Sequence, residues 1–188
     1  MRTDDGERGM MHRRSTASWR TLSLIPLLVA ASYFLYSSEV MADMFGWFKR
    51  YDVHLSPEVK GRILKDGEPV ADIEVYRELM YAKHYMEKTV TDSEGRFSFP
   101  EKTIRSREPG KLLGTEHITQ SITADYDEKT YLLWRTTSTS RTPEKVIVEK
   151  LNHMECDLTN PEEMHHFTIA EHPDFTHNIR GICRWPDS

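Results

Sequence analysis

Val59-Lys60-Gly61-Arg62-Ile63 and Asp72-Ile73-Glu74-Val75-Tyr76-Arg77-Glu78-Leu79 decide how this chain folds. Val59 and Ile63 alternate with Lys60 and Arg62; Ile73, Val75 and Leu79 alternate with Asp72, Glu74 and Glu78. A period of two puts successive side chains on opposite faces, so each stretch is read as a strand with one buried face. Lys65-Asp66-Gly67-Glu68-Pro69 lies between them. Asp-Gly favours a tight hairpin turn, and proline cannot donate to a ladder.

The same alternation recurs downstream. Glu87–Thr91, Arg96–Phe99, Ile118–Tyr126, Thr130–Thr136, Lys145–Leu151, Met164–Ala170 and Ile179–Cys183 are β-branched or aromatic runs divided by turn residues. Glu78–Glu87 reads equally as a long hairpin or a short helix, and Glu101–Gly114, with Pro109-Gly110, reads as an exposed loop. Many short strands with frequent turns predict an all-β fold, a single antiparallel β-sandwich of about 7–9 strands. Its span is 58–188, after an aromatic lead-in at 43–57.

A second turn is more specific. In Thr91-Asp92-Ser93-Glu94-Gly95-Arg96-Phe97-Ser98-Phe99, Gly95 can take positive φ and Asp92 can accept backbone N–H bonds. Phe97 and Phe99, two apart, share the core face of the next strand. Asp92 and Glu94 alone are too few oxygen ligands for calcium. With Gly61 and Ile63, the Gly67–Pro69 hairpin and the Asp92–Gly95 turn, residues 58–100 resemble the carboxypeptidase-regulatory-like and transthyretin-like (prealbumin-like) β-sandwich modules. These open roughly on G-x-[IV], G-x-P-[VI] and T-D-x-x-G-x-F. The chain is similar to exported bacterial proteins of uncharacterised role built on such a module. The resemblance implies a sandwich and supplies no activity. One transthyretin-like branch hydrolyses hydroxyisourate with a C-terminal Tyr-Arg-Gly-Ser; this chain ends Arg184-Trp185-Pro186-Asp187-Ser188.

The N-terminus reads as an export address. His12-Arg13-Arg14 and Arg20 precede the apolar run Leu22–Tyr36, and Val40-Met41-Ala42 forms a small-x-small site. The run extends about 22 Å as a helix, short of a hydrocarbon core of roughly 30 Å, and contains Pro26. The expectation is a signal helix within 1–42 cleaved after Ala42, leaving a periplasmic or secreted domain without a membrane span. The alternative is an uncleaved signal-anchor that holds the domain outside the cytoplasm, with Phe45, Trp47 and Phe48 at the membrane interface. An oxidising compartment predicts a Cys156–Cys183 disulfide; two buried free thiols are the alternative.

Composition limits the chemistry. The chain of 188 residues is 38% hydrophobic and 29% charged, with a net charge of −5, so it is a folded domain rather than a disordered one. It has no basic run, and nucleic acid is not an expected partner. No nucleophile elbow, phosphate-binding glycine loop or dinucleotide fingerprint occurs. No catalytic residue, cofactor or metal is therefore assigned. His153, His165, His166, His172 and His177 raise a metal reading, but adjacent His165 and His166 on a strand would point to opposite faces. Trp134 and Trp185 are the candidate binding aromatics, although the core and rim of a sandwich is the favoured role for each, and Leu133-Trp134 suggests a strand buried on both sides.

The expected function is that of an exported, non-enzymatic β-sandwich acting by protein binding. Its particular form is an immunity-type protein whose acidity suits a basic, periplasm-acting toxin. A carbohydrate- or envelope-binding module using exposed aromatics is the alternative, and a metal-dependent hydrolase using the C-terminal histidines is a further one.

Overall fold

Alternation in the sequence becomes a layered set of sheets. The computed structural model describes residues 49–114 and 116–185, together with Val29. The signal helix, the 1–42 segment and the Ala42 site lie outside these. Residues 46–188 form one compact unit. In chain order its strands are β1 (Tyr51–Ser56), β2 (Val59–Lys65), β3 (Glu68–Pro69), β4 (Glu74–Tyr81), β5 (Lys83–Val90), β6 (Arg96–Phe99) and β7 (Lys102–Ser106). After one 3-10 turn at Glu108–Gly110 come β8 (Ile118–Tyr126), β9 (Lys129–Ser138), helix α1 (Lys145–Asn152), β10 (Met154–Asp157), β11 (Glu163–Ile169) and β12 (His172–Gly181).

Strands β11-β12-β9-β8-β4-β5 form a six-stranded antiparallel sheet, and β10-β2-β3 with β6 form a four-stranded one. β1 and β7 make a separate antiparallel ribbon. Val59, Ile63, Phe97, Phe99, Met154 and Cys156 from the four-stranded sheet share one buried cluster with Val75, Ile122, Ala124, Leu133, Trp134 and Ile179 from the six-stranded sheet. Removing this much apolar surface from water is the main stabilising term. A second cluster, Val53, Leu55, Leu79, Tyr81 and Ile118, packs the ribbon against β4 and β8.

The protein is thus mostly β, with twelve strands among the described residues rather than the 7–9 expected. Three further expectations are corrected. Lys145–Leu151 is helical: Ile147 and Leu151 are four apart, and with Lys150 they bury one helix face against the core. β-branched content suggested a strand there, but packing at helical spacing overrides propensity. Glu101–Gly114, read as an exposed loop, contains β7, because β7 and β1 from the 43–57 lead-in satisfy each other's backbone groups. The sheet is not wholly antiparallel either, since β10 joins β2 in parallel with α1 preceding it. The ambiguous Glu78–Glu87 segment is the β4–β5 hairpin, turning at Ala82.

Asp66 and Gly67 both take positive φ, the two-residue turn that matches strand twist. Asp157, from the end of β10, accepts the Gly67 N–H at 2.8 Å and the Asp66 N–H at 3.2 Å. Thr159 donates to the same carboxylate through its N–H at 2.9 Å and its hydroxyl at 2.6 Å. Burial pushes the Asp157 carboxyl up, but these hydrogen bonds outweigh it and hold the group below its ordinary range.

Candidate functional site

In the six-stranded sheet side chains alternate between the core side and solvent, the edge strands β5 and β11 being only partly buried. The solvent face follows from register. Glu78 lies between Met86 and Ser121, Ser121 lies opposite Arg135, Arg135 opposite Arg180, and Arg180 opposite Met164. The next row carries Met80, His84, Thr119 and Thr137. Six strands make a platform roughly 25 Å across.

Its chemistry is mixed. Met80, Met86 and Met164 are each more than half exposed. Hydroxyls are paired laterally, as in Thr119 Oγ1 to Thr137 Oγ1 at 3.1 Å. His166 Nδ1 lies 2.7 Å from Asn178 Oδ1, and Lys88 donates to Glu74 at 2.7 Å. The Tyr76 hydroxyl donates to the same Glu74 carboxylate. A depression of about 300 Å³ is lined by Glu78, Met80, His84, Thr119, Ser121 and Arg135.

Two arginines at the centre stand out energetically. Arg135 and Arg180 are cross-strand partners, and like charges directly opposite destabilise a sheet. Arg180 is offset by Glu162, with Nε 2.9 Å from Oε2. Arg135 has no ion-pair partner among the described residues. Arg135 is exposed, so its guanidinium is held by solvent and remains available to an acidic group.

Leu133 is the extra residue of a bulge, because Ile122 pairs with Trp134 while Thr123 pairs with Leu132. The bulge sends Leu133 and Trp134 into the same core, so the strand is not buried on both faces as the sequence suggested. Trp134 is fully enclosed and Trp185 nearly so, their rings edge to face at 5.8 Å. Trp185 Nε1 donates to the Lys150 carbonyl at 2.8 Å, and its ring meets Phe167 and His165. Both tryptophans are thus core side chains, not part of an exposed aromatic row. Arg135, Arg180 and the three methionines lie on the exposed face, and carried no signal until register placed them together.

Cys156 and Cys183 form a disulfide, which ties β10 to the segment after β12. Backbone pairing reinforces the joint, with Arg184 N–H donating to the Glu155 carbonyl at 2.7 Å. In the Asp92–Gly95 turn, the Asp92 carboxylate accepts the N–H of Glu94 and of Arg96, both at 2.9 Å. Those bonds, that from Arg96 first, hold its carboxyl below the usual range. Gly95 has φ 73°, and a Cβ there would lie 2.4 Å from the Ile63 carbonyl oxygen. Pro69 pairs with Leu64 at the edge of the four-stranded sheet.

The histidines diverge. His165 packs on Trp185, while His166 faces solvent beside Asn178. His177 is buried with Nε2 3.1 Å from Glu144 Oε1, and His153 lies at the end of α1 with Nδ1 3.1 Å from the Glu149 carbonyl. Among the described residues no group of three His, Cys, Asp or Glu is arranged to hold a metal.

Fold and face together define a β-rich domain with a six-stranded antiparallel sheet, one face of which is exposed among the described residues. The chain belongs to the family described as a domain of unknown function, DUF6795, whose model matches residues 59–161. Neither a curated protein nor a solved structure matches it.

Proposed function

We propose that this is an exported, non-enzymatic β-sandwich that acts by binding another protein through the solvent face of its six-stranded sheet. The observation that carries the reading is the Arg135–Arg180 pair at the centre of an uncovered platform. An unpaired guanidinium beside a second arginine costs stability in the free domain and gains a partner when an acidic group docks. Exposed methionine, tyrosine and arginine are the residue types enriched at protein interfaces. The two larger sheets sharing one core support the transthyretin-like sandwich resemblance. The Cys156–Cys183 disulfide supports an oxidising, extracytoplasmic setting. The particular form we propose is an immunity-type protein that covers a periplasm-acting toxin. In that form an acid-bearing loop of the toxin sits over Arg135, although the chain's overall charge of −5 suits a basic body.

The test uses a photo-crosslinking residue at Ser121, next to Arg135, in cells that export the full chain. A discrete crosslinked protein is expected. Arg135→Glu should abolish it, whereas Arg96→Glu at the start of β6, in the other sheet, should leave it unchanged. A crosslink insensitive to Arg135→Glu, or none at Ser121, overturns the reading.

A further inference from the structure

Leu112 and Leu113 are 99% and 95% exposed, beyond any other large apolar side chain among the described residues. Adjacent, fully solvated leucines on a surface are a standing cost in water. They are held out by a closed turn. Gly110 N–H donates to the Arg107 carbonyl at 3.1 Å and Lys111 N–H to the Glu108 carbonyl at 3.0 Å. Gly114 then comes so close that a Cβ there would lie 2.1 Å from the Glu108 carbonyl oxygen.

Register fixes where this tip lies. Tyr51 pairs with Ser106, so β7 leaves the ribbon toward the tip at the end where the chain enters β1. The sequence that feeds β1 reads Gly46-Trp47-Phe48-Lys49-Arg50, aromatic and then cationic, the residue types of a bilayer interface. Lys49, Arg50, Arg105, Arg107 and Lys111 belong to this end, against Asp52, Glu108 and Glu116. Asp52 is taken up by Arg105 at 3.5 Å and Glu108 by Lys111 at 2.5 Å. The end is net basic in a chain that is net acidic.

We propose that this end of the β1–β7 ribbon seats on an anionic lipid bilayer. Leu112 and Leu113 enter the headgroup–acyl boundary while the surrounding cations face lipid phosphates. Apolar tip and cationic collar converge at one end of the domain. The docking is peripheral and needs no spanning helix. It leaves the platform of the six-stranded sheet free for a protein.

The test uses the full chain with vesicles of phosphatidylethanolamine and phosphatidylglycerol. Both native cysteines are in the disulfide, so Leu112→Cys adds a single labelling site for an environment-sensitive dye. Blue-shifted emission, quenched by lipids carrying a shallow quencher, is expected at position 112. Neither effect is expected for Thr137→Cys on the platform. Arg107→Glu with Lys111→Glu in the Leu112→Cys background should lower the vesicle partition coefficient at least about thirtyfold, since each of the two lost cations contributes roughly 1 kcal/mol near an anionic surface. Water-like emission at 112 on vesicles overturns the proposal. So does a blue shift that appears only with a protein partner, which would make the tip a protein anchor instead.

Discussion

Gly181 lies flat against the peptide unit of Leu133: a Cβ at position 181 would sit 2.1 Å from the Leu133 carbonyl oxygen and 3.1 Å from the Trp134 nitrogen. The contact exists because Leu133 is the bulged residue, and the bulge pushes its carbonyl toward β12. The Ile182 N–H then donates to the Leu132 carbonyl at 3.0 Å, which anchors the chain on its way to the disulfide.

Gly181→Ala should therefore destabilise by about 1–3 kcal/mol or more, as overpacking against backbone does. Gly67→Ala is the control: Gly67 has positive φ but open space around it, so only the conformational penalty of about 1 kcal/mol is expected. Urea unfolding of both variants checks the order. Equal losses would mean that the bulge contact relaxes freely.

Loss of the Cys156–Cys183 bond should cost about 2–5 kcal/mol in Cys183→Ser. The two sulfurs are fully buried, so alkylation of the folded, non-reduced protein should label neither. Mass spectrometry after alkylation in denaturant, before and after reduction, counts the thiols. Two labels without reduction would reject the bond.

Arg77 is fully buried on the inner face of β4, its Nε 2.9 Å from Glu87 Oε2 and its Nη1 2.8 Å from the Pro100 carbonyl. Lys102 donates to the other Glu87 oxygen at 2.9 Å. Burial pushes the Glu87 carboxyl up, yet the bonds from Arg77 and Lys102 outweigh it and hold the group below its ordinary range. Arg77→Ala leaves Glu87 to Lys102 alone and removes the buried donor to the Pro100 carbonyl, so it should cost about 3 kcal/mol, the lower end for breaking a buried pair. Arg77→Met with Glu87→Gln should recover much of this. A double variant no better than the single would show that the hydrogen bonds to Pro100 and Ser56, rather than charge, hold the ribbon in place.

His54 sets the acid side of stability. It is buried between ribbon and sheet, with Nδ1 3.1 Å from Glu101 Oε1 and a buried Nε2 that has no partner among the described residues. Burial lowers its affinity for a proton more than Glu101 raises it. The unfolded chain therefore binds that proton first. The histidine's contribution is complete above the ordinary pKa of about 6.5 and is lost as pH falls from there through the lower folded value. His54→Gln should flatten the stability profile between pH 6.5 and the acid limb of the carboxylates. An unchanged slope would assign it to His165, whose pKa is likewise lowered, by burial first and Arg184 second.

Much of the fold was legible in the chain, and for a local reason. Alternation over Val59–Ile63 and Asp72–Leu79 gives strands because a residue and its second neighbour must share a face. Asp66-Gly67 and Asp92–Gly95 give turns because only certain backbones tolerate positive φ. Arg96–Phe99 and Ile118–Tyr126 begin and end where their turn residues say. The register between strands was not legible, since it depends on partners far apart in sequence. Tertiary pairing alone brought β1 to β7 and made Leu133 a bulge with Gly181 against it. It alone turned Lys145–Asn152 into a helix, where burying Ile147 and Leu151 outweighs β-branched propensity. It set Arg135 opposite Arg180 on an open face and carried Trp134 and Trp185 into the core. Local sequence determines which way each side chain alternates; the partner strand decides what that side chain meets.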